Sequence, residues 1–436
     1  MSHRRKNLRL TYVDGFFYAI MVGTAESFAI FYGLQRGLNI EEIAIVSTFP
    51  ILIGALSQWI IPFFIANHQL KSGIILSVAL QLFGLIGFLY LPFAENIFFP
   101  LLISLIFYWI GGMVAGPLWL DWVSPWLPHR SFTTYLSRRN GILSLITLIS
   151  FVSSAFLIHF SGYTLAFLLV FILALVARMG SLFVFFKQQN PEEIKKKTRA
   201  IDLAMPLVWA KKPVYIIIAL TTLFRFAANT SGPFFMPYMV QELKLNLLDY
   251  VFLSAIPFAG RWLYLSRWGT VAKKFRPFIV LQVTMFGIAI NPILWTLGNH
   301  MSWLAIIELY SGIMWSGFEL CTILIIQNFW PGSARRLIGF HLALMSLFSL
   351  LGAWIGSQIH SHRGNYHELF LISSTIRIFI AIAAVAALAT VKETRYRLSV
   401  YGDFLSTMLS LRPSLANIGR IIPLRRTVKN FFRLPK

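Results

Sequence analysis

Twelve apolar segments follow one another along this chain, at about 10–33, 41–65, 73–93, 97–120, 141–160, 163–186, 213–239, 248–266, 277–298, 302–327, 338–359 and 366–391. A helix needs about 20 predominantly apolar residues to cross the hydrocarbon core of a bilayer, and each segment approaches that length. Inside lipid the backbone must satisfy its own hydrogen bonds, so a spanning segment of this length is a helix. Charged residues make up only 12% of the 436, against about 25% in a soluble domain. No soluble core could hide so much apolar surface. The chain therefore reads as an all-α polytopic membrane protein with twelve transmembrane helices. Its start, MSHRRKNLRL before an apolar run, resembles a secretory leader. With no clear small-residue cleavage site after Gly23, it is expected to be an uncleaved first helix.

The net charge of +22 would fit a nucleic-acid binder, but its distribution argues for topology instead. With the N-terminus placed in the cytoplasm, 31 Lys and Arg fall in the inside segments. Only Arg36, Lys244 and Arg363 fall outside. Arg178, Arg225, Arg261 and Arg377 lie within spans. That asymmetry is the positive-inside pattern. It predicts a bacterial-type inner membrane, both termini cytoplasmic, and no nucleic-acid partner. The basic tail, 393–436, is expected to lie on anionic lipid headgroups, at about 1 kcal/mol per basic residue. The lone cysteine, Cys321, allows no intramolecular disulfide and no cysteine metal cluster.

The two halves echo each other. Leu38-Asn39-Ile40-Glu41-Glu42 matches Leu245-Asn246-Leu247-Leu248-Asp249, and Ser47 to Pro50 matches Ser254 to Pro257, both at a shift of 207. Gly111-x4-Gly116 matches Gly312-x4-Gly317 at a shift of 201. The pattern predicts two pseudo-symmetric six-helix bundles: 1–187, a cytoplasmic linker at 188–212, and 213–392. A parallel repeat of this kind places a binding site between the halves near mid-membrane.

In span count, duplication and central linker the chain resembles the major facilitator superfamily over about residues 8–392. That family's signature loop survives partly as Gly269-Thr-Val-Ala272-Lys273-Lys274-Phe275-Arg276, with Lys273 at the acidic position. The first copy, Phe63 to Lys71, is degraded, and 142–161 lacks the Gly-Pro motif of drug antiporters. The resemblance implies that spans 1, 4, 7 and 10 line a central cavity.

Ionisable residues inside a membrane are costly, about 2.5–3.5 kcal/mol at its centre, so they nominate the site. Glu26 lies in the outer half of span one. Asp14, near its inner end, also fits a first-turn acid. Arg225 in span seven suits a carboxylate or phosphate, and Asn229 shares its face. Glu308 and Glu319 in span ten point the same way, about 16 Å apart, as a proton or cation relay would. Asp121, Arg138, Arg139, Lys273, Arg276, Arg335 and Arg336 are candidate contacts of a cytoplasmic gate. Arg178, Arg261 and Arg377 read as structural, the first two near enough to helix ends to snorkel. Trp109, Trp119, Trp122, Trp126 and Trp330 read mainly as interfacial anchors. Trp315 and Phe318 read mainly as packing residues that could also stack on a ring.

These features point to a monomeric secondary transporter of a small solute, driven by protons or another cation through Glu26, Glu308 or Glu319. A non-transporting receptor or scaffold is the alternative. An intramembrane lipid-modifying enzyme is disfavoured. The His360-x-His362 and His367 cluster is too poor in acids for a metal site. No nucleotide-binding loop, cofactor site or catalytic constellation is visible.

Overall fold

The computed structural model describes residues 3–61, 64–65, 69–126, 129–160, 163–190, 212–275, 277–329 and 334–389. Among them run twelve long helices: α1 (Lys6–Gln35), α2 (Ile40–Ile60), α3 (Leu70–Phe93), α4 (Phe98–Val123), α5 (His129–Phe160) and α6 (Tyr163–Lys187), then α7 (Val214–Glu242), α8 (Leu247–Phe275), α9 (Pro277–Thr296), α10 (Met301–Phe329), α11 (Ala334–Arg363) and α12 (Tyr366–Ala389). Eleven are long and apolar enough to cross a membrane. The other is α8, which carries Asp249, Arg261, Arg267, Lys273 and Lys274. The linker residues 191–211 and the tail beyond 389 lie outside the described residues.

Helix pairing repeats between the halves. In the first half α3 packs on α4, α2 on α4, α1 on α6 and α5, and α3 on α6. In the second half α9 packs on α10, α8 on α10, α7 on α12 and α11, and α9 on α12. Each contact recurs six helices later. The halves meet where α2 packs on α11 and α5 on α8, and a twofold exchange of the halves interconverts those two pairs.

The repeated sequence around Asn39 and Asn246 is a duplicated helix start. Asn39 Oδ1 accepts from the Glu42 N–H at 2.8 Å, and Glu42 Oε2 accepts from the Asn39 N–H at 2.9 Å. This reciprocal cap satisfies two otherwise orphaned donors. At the second copy Asn246 Oδ1 accepts from the Asp249 N–H at 2.9 Å. The two motifs thus open α2 and α8, the helices through which each half meets the other.

The apolar cores differ between the two faces of the molecule. Away from the face where α1 begins, one core joins both halves, including Phe31, Ile43, Phe88 and Phe171 with Phe234, Tyr250, Leu304 and Phe370. Phe31 and Tyr250 stack across the halves with centroids 4.9 Å apart. Toward the face where α1 begins, the cores are separate, one around Trp122 and Ile74 and another around Trp268 and Phe318. There α2 and α11 still touch, Trp59 on Phe340 at 5.3 Å. A Cβ built on Gly116, Gly141 or Gly269, at the same end of α4, α5 and α8, would meet no atom within 4 Å. Among the described residues the halves are closed on one face and, the contact of α2 with α11 aside, parted on the other.

Small residues set the closest approaches. A Cβ on Gly352 would collide with the Phe226 carbonyl, and one on Gly356 with the Thr230 carbonyl. The spacing of four puts both on one stripe of α11, letting it seat against α7 as small-x3-small pairs do. Gly356→Val is therefore expected to cost at least the roughly 1–3 kcal/mol typical of overpacking. It should appear as a lowered Tm of the detergent-purified protein, whereas the same change at open Gly116 should leave Tm nearly unchanged.

Candidate functional site

Asp14, on the inner part of α1, is buried at 4% exposure and is the centre of a polar cluster. Its Oδ2 lies 3.4 Å from Arg139 Nη2 on α5, and its Oδ1 accepts from Ser181 Oγ on α6 at 2.5 Å. Arg178 Nη1 donates to the same Ser181 at 3.0 Å. Arg139 also donates from Nε to the Thr11 carbonyl at 3.0 Å, and its guanidinium lies 4.2 Å over the Trp119 ring. Thr11 in turn bonds the Tyr135 hydroxyl. Gly15 leaves room for this: a Cβ there would meet Arg139 Nη2 at 2.8 Å. One acid thus serves two arginines, the three residues coming from three helices. Two sequence expectations are corrected here. Arg178 does not snorkel; it is 3% exposed, because Ser181 and Asp14 hold it inside. Trp119, Trp122 and Trp126 are buried rather than interfacial, with Trp122 donating to Asn190 Oδ1 at 3.0 Å.

Glu26 ends a π-helical turn, Val22–Glu26, in α1. A Cβ on Gly23 in that turn would collide with the Thr147 carbonyl of α5, so the backbones touch there. Such turns cluster at functional sites. The Tyr108 hydroxyl, from α4, donates to Glu26 Oε2 at 2.5 Å. No cationic side chain pairs with Glu26 among the described residues.

In the second half Arg225 lies about 17 Å along α7. Its guanidinium sits 5.0 Å from the Trp315 ring of α10, a cation–π contact. Trp315 thus lies under the guanidinium as well as edge-on to Phe318, at 5.5 Å. Among the described residues no carboxylate pairs with Arg225. Asn229 supports the same turn, donating to the Arg225 carbonyl and to Ser349 Oγ, both at 3.1 Å. Glu319 pairs instead with Arg261 of α8 at 2.7 Å, both side chains about 40% exposed. Arg261 therefore has a partner within the protein. Glu308, one helix face up, lies beside Trp295 and Tyr250. His341 of α11, 2% exposed, lies 3.3 Å from Thr221 Oγ1 through Nε2.

Arg377 makes a different arrangement. It donates to the carbonyls of Ala227, Ala228 and Ile288 and to Ser231 Oγ, at 2.6–3.4 Å. It is a clamp tying α12 to α7 and α9, as a structural reading expects.

Of the gate candidates, Arg139 belongs to the Asp14 cluster and Asp121 is half-buried at the end of α4. Arg276 and the side chains of Arg138, Lys273, Arg335 and Arg336 lie outside the described residues. Among the described residues no group of His, Cys, Asp or Glu could hold a metal ion. Sequence reasoning passed over Tyr108, Ser181 and His341. Each is a polar group within an apolar span, but spacing along one helix does not reveal a partner on another.

The model of the Major Facilitator Superfamily matches residues 12–341. The chain belongs to this superfamily. Solved structures share its fold. The nucleoside transporter NupG, in a mutant form, aligns with TM-score 0.68 at 10% identity, covering 88% of this chain and 99% of that one. A D-xylose-proton symporter gives 0.68 at 12%, covering 89% and 98%. The xylose transporter XylE from E. coli, in a partially occluded inward open conformation, gives 0.67 at 12%, covering 91% and 100%. No curated protein matches by sequence. This superfamily member is an integral membrane protein and a secondary active transporter.

Removing one partner of a buried ion pair leaves the other uncompensated, at about 3–5 kcal/mol. Asp14→Leu should destabilise the purified transporter by that order. Arg139→Met added to Asp14→Leu should recover part of the loss, read as Tm in a double-mutant cycle.

Proposed function

We propose that this transporter carries a small organic anion with a planar or ring-bearing body, coupled to protons, by alternating access between its two six-helix halves. The observation carrying this reading is Arg225. It is a guanidinium deep in a membrane helix, laid on an indole and in ion-pair contact with no acid among the described residues; Glu319, itself paired with Arg261, acts on it from farther off. Arginine cannot shed its charge, and an uncompensated charge in low dielectric is costly. A bound carboxylate or phosphate supplies the missing counter-charge through the free edge of the fork, and Trp315 offers a face for the rest of the solute. Glu26 differs in one respect: a carboxyl can neutralise itself by taking a proton. Its place on α1, held among the described residues by the Tyr108 hydroxyl, supports a coupling role. One structural neighbour is a D-xylose-proton symporter, in keeping with that role.

The halves are taken as 1–187 and 213–392, joined by a linker at 188–212; the sequence duplication supports this division. The charge asymmetry supports cytoplasmic termini in a bacterial-type inner membrane, with the basic tail on anionic lipid and the protein working as a monomer. In that orientation the parted face opens to the cytoplasm. Glu308 at the closed face and the Arg261–Glu319 pair near the parted one are further coupling and gating candidates. Asp14 with Arg139 supports a fixed brace within the first half.

The test is uptake into proteoliposomes of an anion found by a thermal-shift screen of carboxylates and phosphates. Arg225→Ala should weaken apparent affinity by roughly 10- to 100-fold, the worth of a charge-assisted hydrogen bond. Unchanged KM in that variant would refute the anion site. Glu26→Gln should abolish accumulation against a gradient while exchange survives; full uphill transport in this variant would remove Glu26 from the coupling path.

A further inference from the structure

The duplicated halves hold different chemistry at one corresponding place. A shift of 207 relates α1 to α7, and a shift of 202 relates α5 to α11. The contacts obey both. Thr11 on Tyr135 corresponds to Ile218 and Leu337, which share one apolar cluster. Gly23 against Ser150 corresponds to Thr230 against Gly352. By the same shifts, Asp14 with Arg139 corresponds to Thr221 with His341. Where the first half keeps a permanent ion pair, the second holds an imidazole against a hydroxyl.

The hydrogen bonds settle how that imidazole is protonated. Thr221 Oγ1 donates to the Ile217 carbonyl at 2.6 Å. Its oxygen is then the acceptor toward His341 Nε2 at 3.3 Å, so the neutral ring carries its hydrogen on Nε2. That leaves the Nδ1 lone pair vacant, buried and with no hydrogen-bond partner among the described residues. Thr221 and Arg225 are one turn apart on the same face of α7, which puts the guanidinium next to the ring. Arg225 is the charged group acting on His341, with Arg261 and Glu319 beyond it. From α2 the neighbouring surface is Trp59, edge-on to Phe340.

We propose that His341 is a proton carrier coupled to the anion site at Arg225, each ligand strengthening the binding of the other. This deepens, and rests on, the anion reading of Arg225. A proton added at Nδ1 gives an imidazolium where the first half has Arg139, but with no Asp14 beside it. With the site empty, that second cation would stand against Arg225 in a water-poor interior. With an anion on Arg225 the pair becomes a cation–anion–cation cluster, and the added proton is compensated. One proton moves from water to Nδ1 per anion bound, no covalent bond to the solute forms, and a monoanion is carried without net charge. His341 lies seven residues into α11, about 10 Å from its start, in the half of the helix nearer the parted face.

The experiment measures proton uptake when benzoate binds the detergent-purified transporter near neutral pH. It uses a pH-indicator dye in weak buffer, with binding followed independently by calorimetry. Wild type should take up about one proton per benzoate, and affinity should fall up to about tenfold per pH unit as pH rises. His341→Gln should still bind, with no uptake and little pH dependence. His341→Arg, which places the charge permanently, should also show no uptake and should keep the low-pH affinity at all pH values; it serves where His341→Gln fails to fold. Undiminished uptake in either variant, or benzoate binding to wild type without uptake, overturns the proposal. If neither benzoate nor inorganic phosphate binds wild type at millimolar concentration, the anion reading of Arg225 falls, and this proposal with it. Glu26→Gln should leave the uptake on binding intact, separating His341 from the first-half acid.

Discussion

Hydrocarbon offers a buried charge no water to lean on, so each one must find its compensation inside the protein or in a ligand. The arginines within the helices can be sorted by how they do so. Arg377 is compensated by three carbonyls and a hydroxyl, none of them charged. Arg178, with Arg139, draws on Asp14 directly or through Ser181. Arg261 has Glu319. The first two arrangements tie three helices each and are internal to one half, so they can move as parts of a rigid body. Arg225 stands apart, with an aromatic face beneath it and no acid opposite among the described residues. In the proposed function it is the residue whose counter-charge a solute completes.

The same logic separates rigid from movable contacts. Within each half, glycines bring backbones together, as at Gly23 on α5 and Gly356 on α7. Such interlocked packing is bistable rather than elastic. Between the halves the closed face depends on apolar and aromatic contacts such as Phe31 on Tyr250, with weak polar contacts from Glu41 to Gln358 and Ser361 at 3.5 Å. No charged pair spans the halves among the described residues. Contacts of this kind can part without stranding a buried charge, which is what a rocking movement about a central site needs.

Much of the fold was legible in the sequence. The spans followed from hydropathy, and the duplication from matches around Asn39 and Asn246, which proved to be the same helix cap built twice. The glycine pair of α11 was readable as a packing stripe. The exception to the hydropathy pattern, α8, is explained by Arg261, whose partner Glu319 lies on another helix. The site was harder to read for the same reason. Glu26, Arg225 and Asp14 could be nominated as charges in lipid, but their partners Tyr108, Trp315, Arg139 and Ser181 sit on other helices. Sequence spacing sees one helix at a time, so it could not tell the clamp at Arg377 from the open site at Arg225. Nor could it show that Trp119 and Trp122 face inward.

The central claim is that two rigid halves expose one mid-depth anion site alternately to the two faces. Its most direct test is a pair of spin-label distances in a Cys321→Ser background. Asn140→Cys with Arg267→Cys reports the parted ends of α5 and α8; Phe160→Cys with Asn246→Cys reports their closed ends. On addition of a transported anion at acidic pH, the first distance distribution should shift shorter while the second shifts longer. Both distances moving in the same direction, or neither moving while uptake proceeds, would contradict the account.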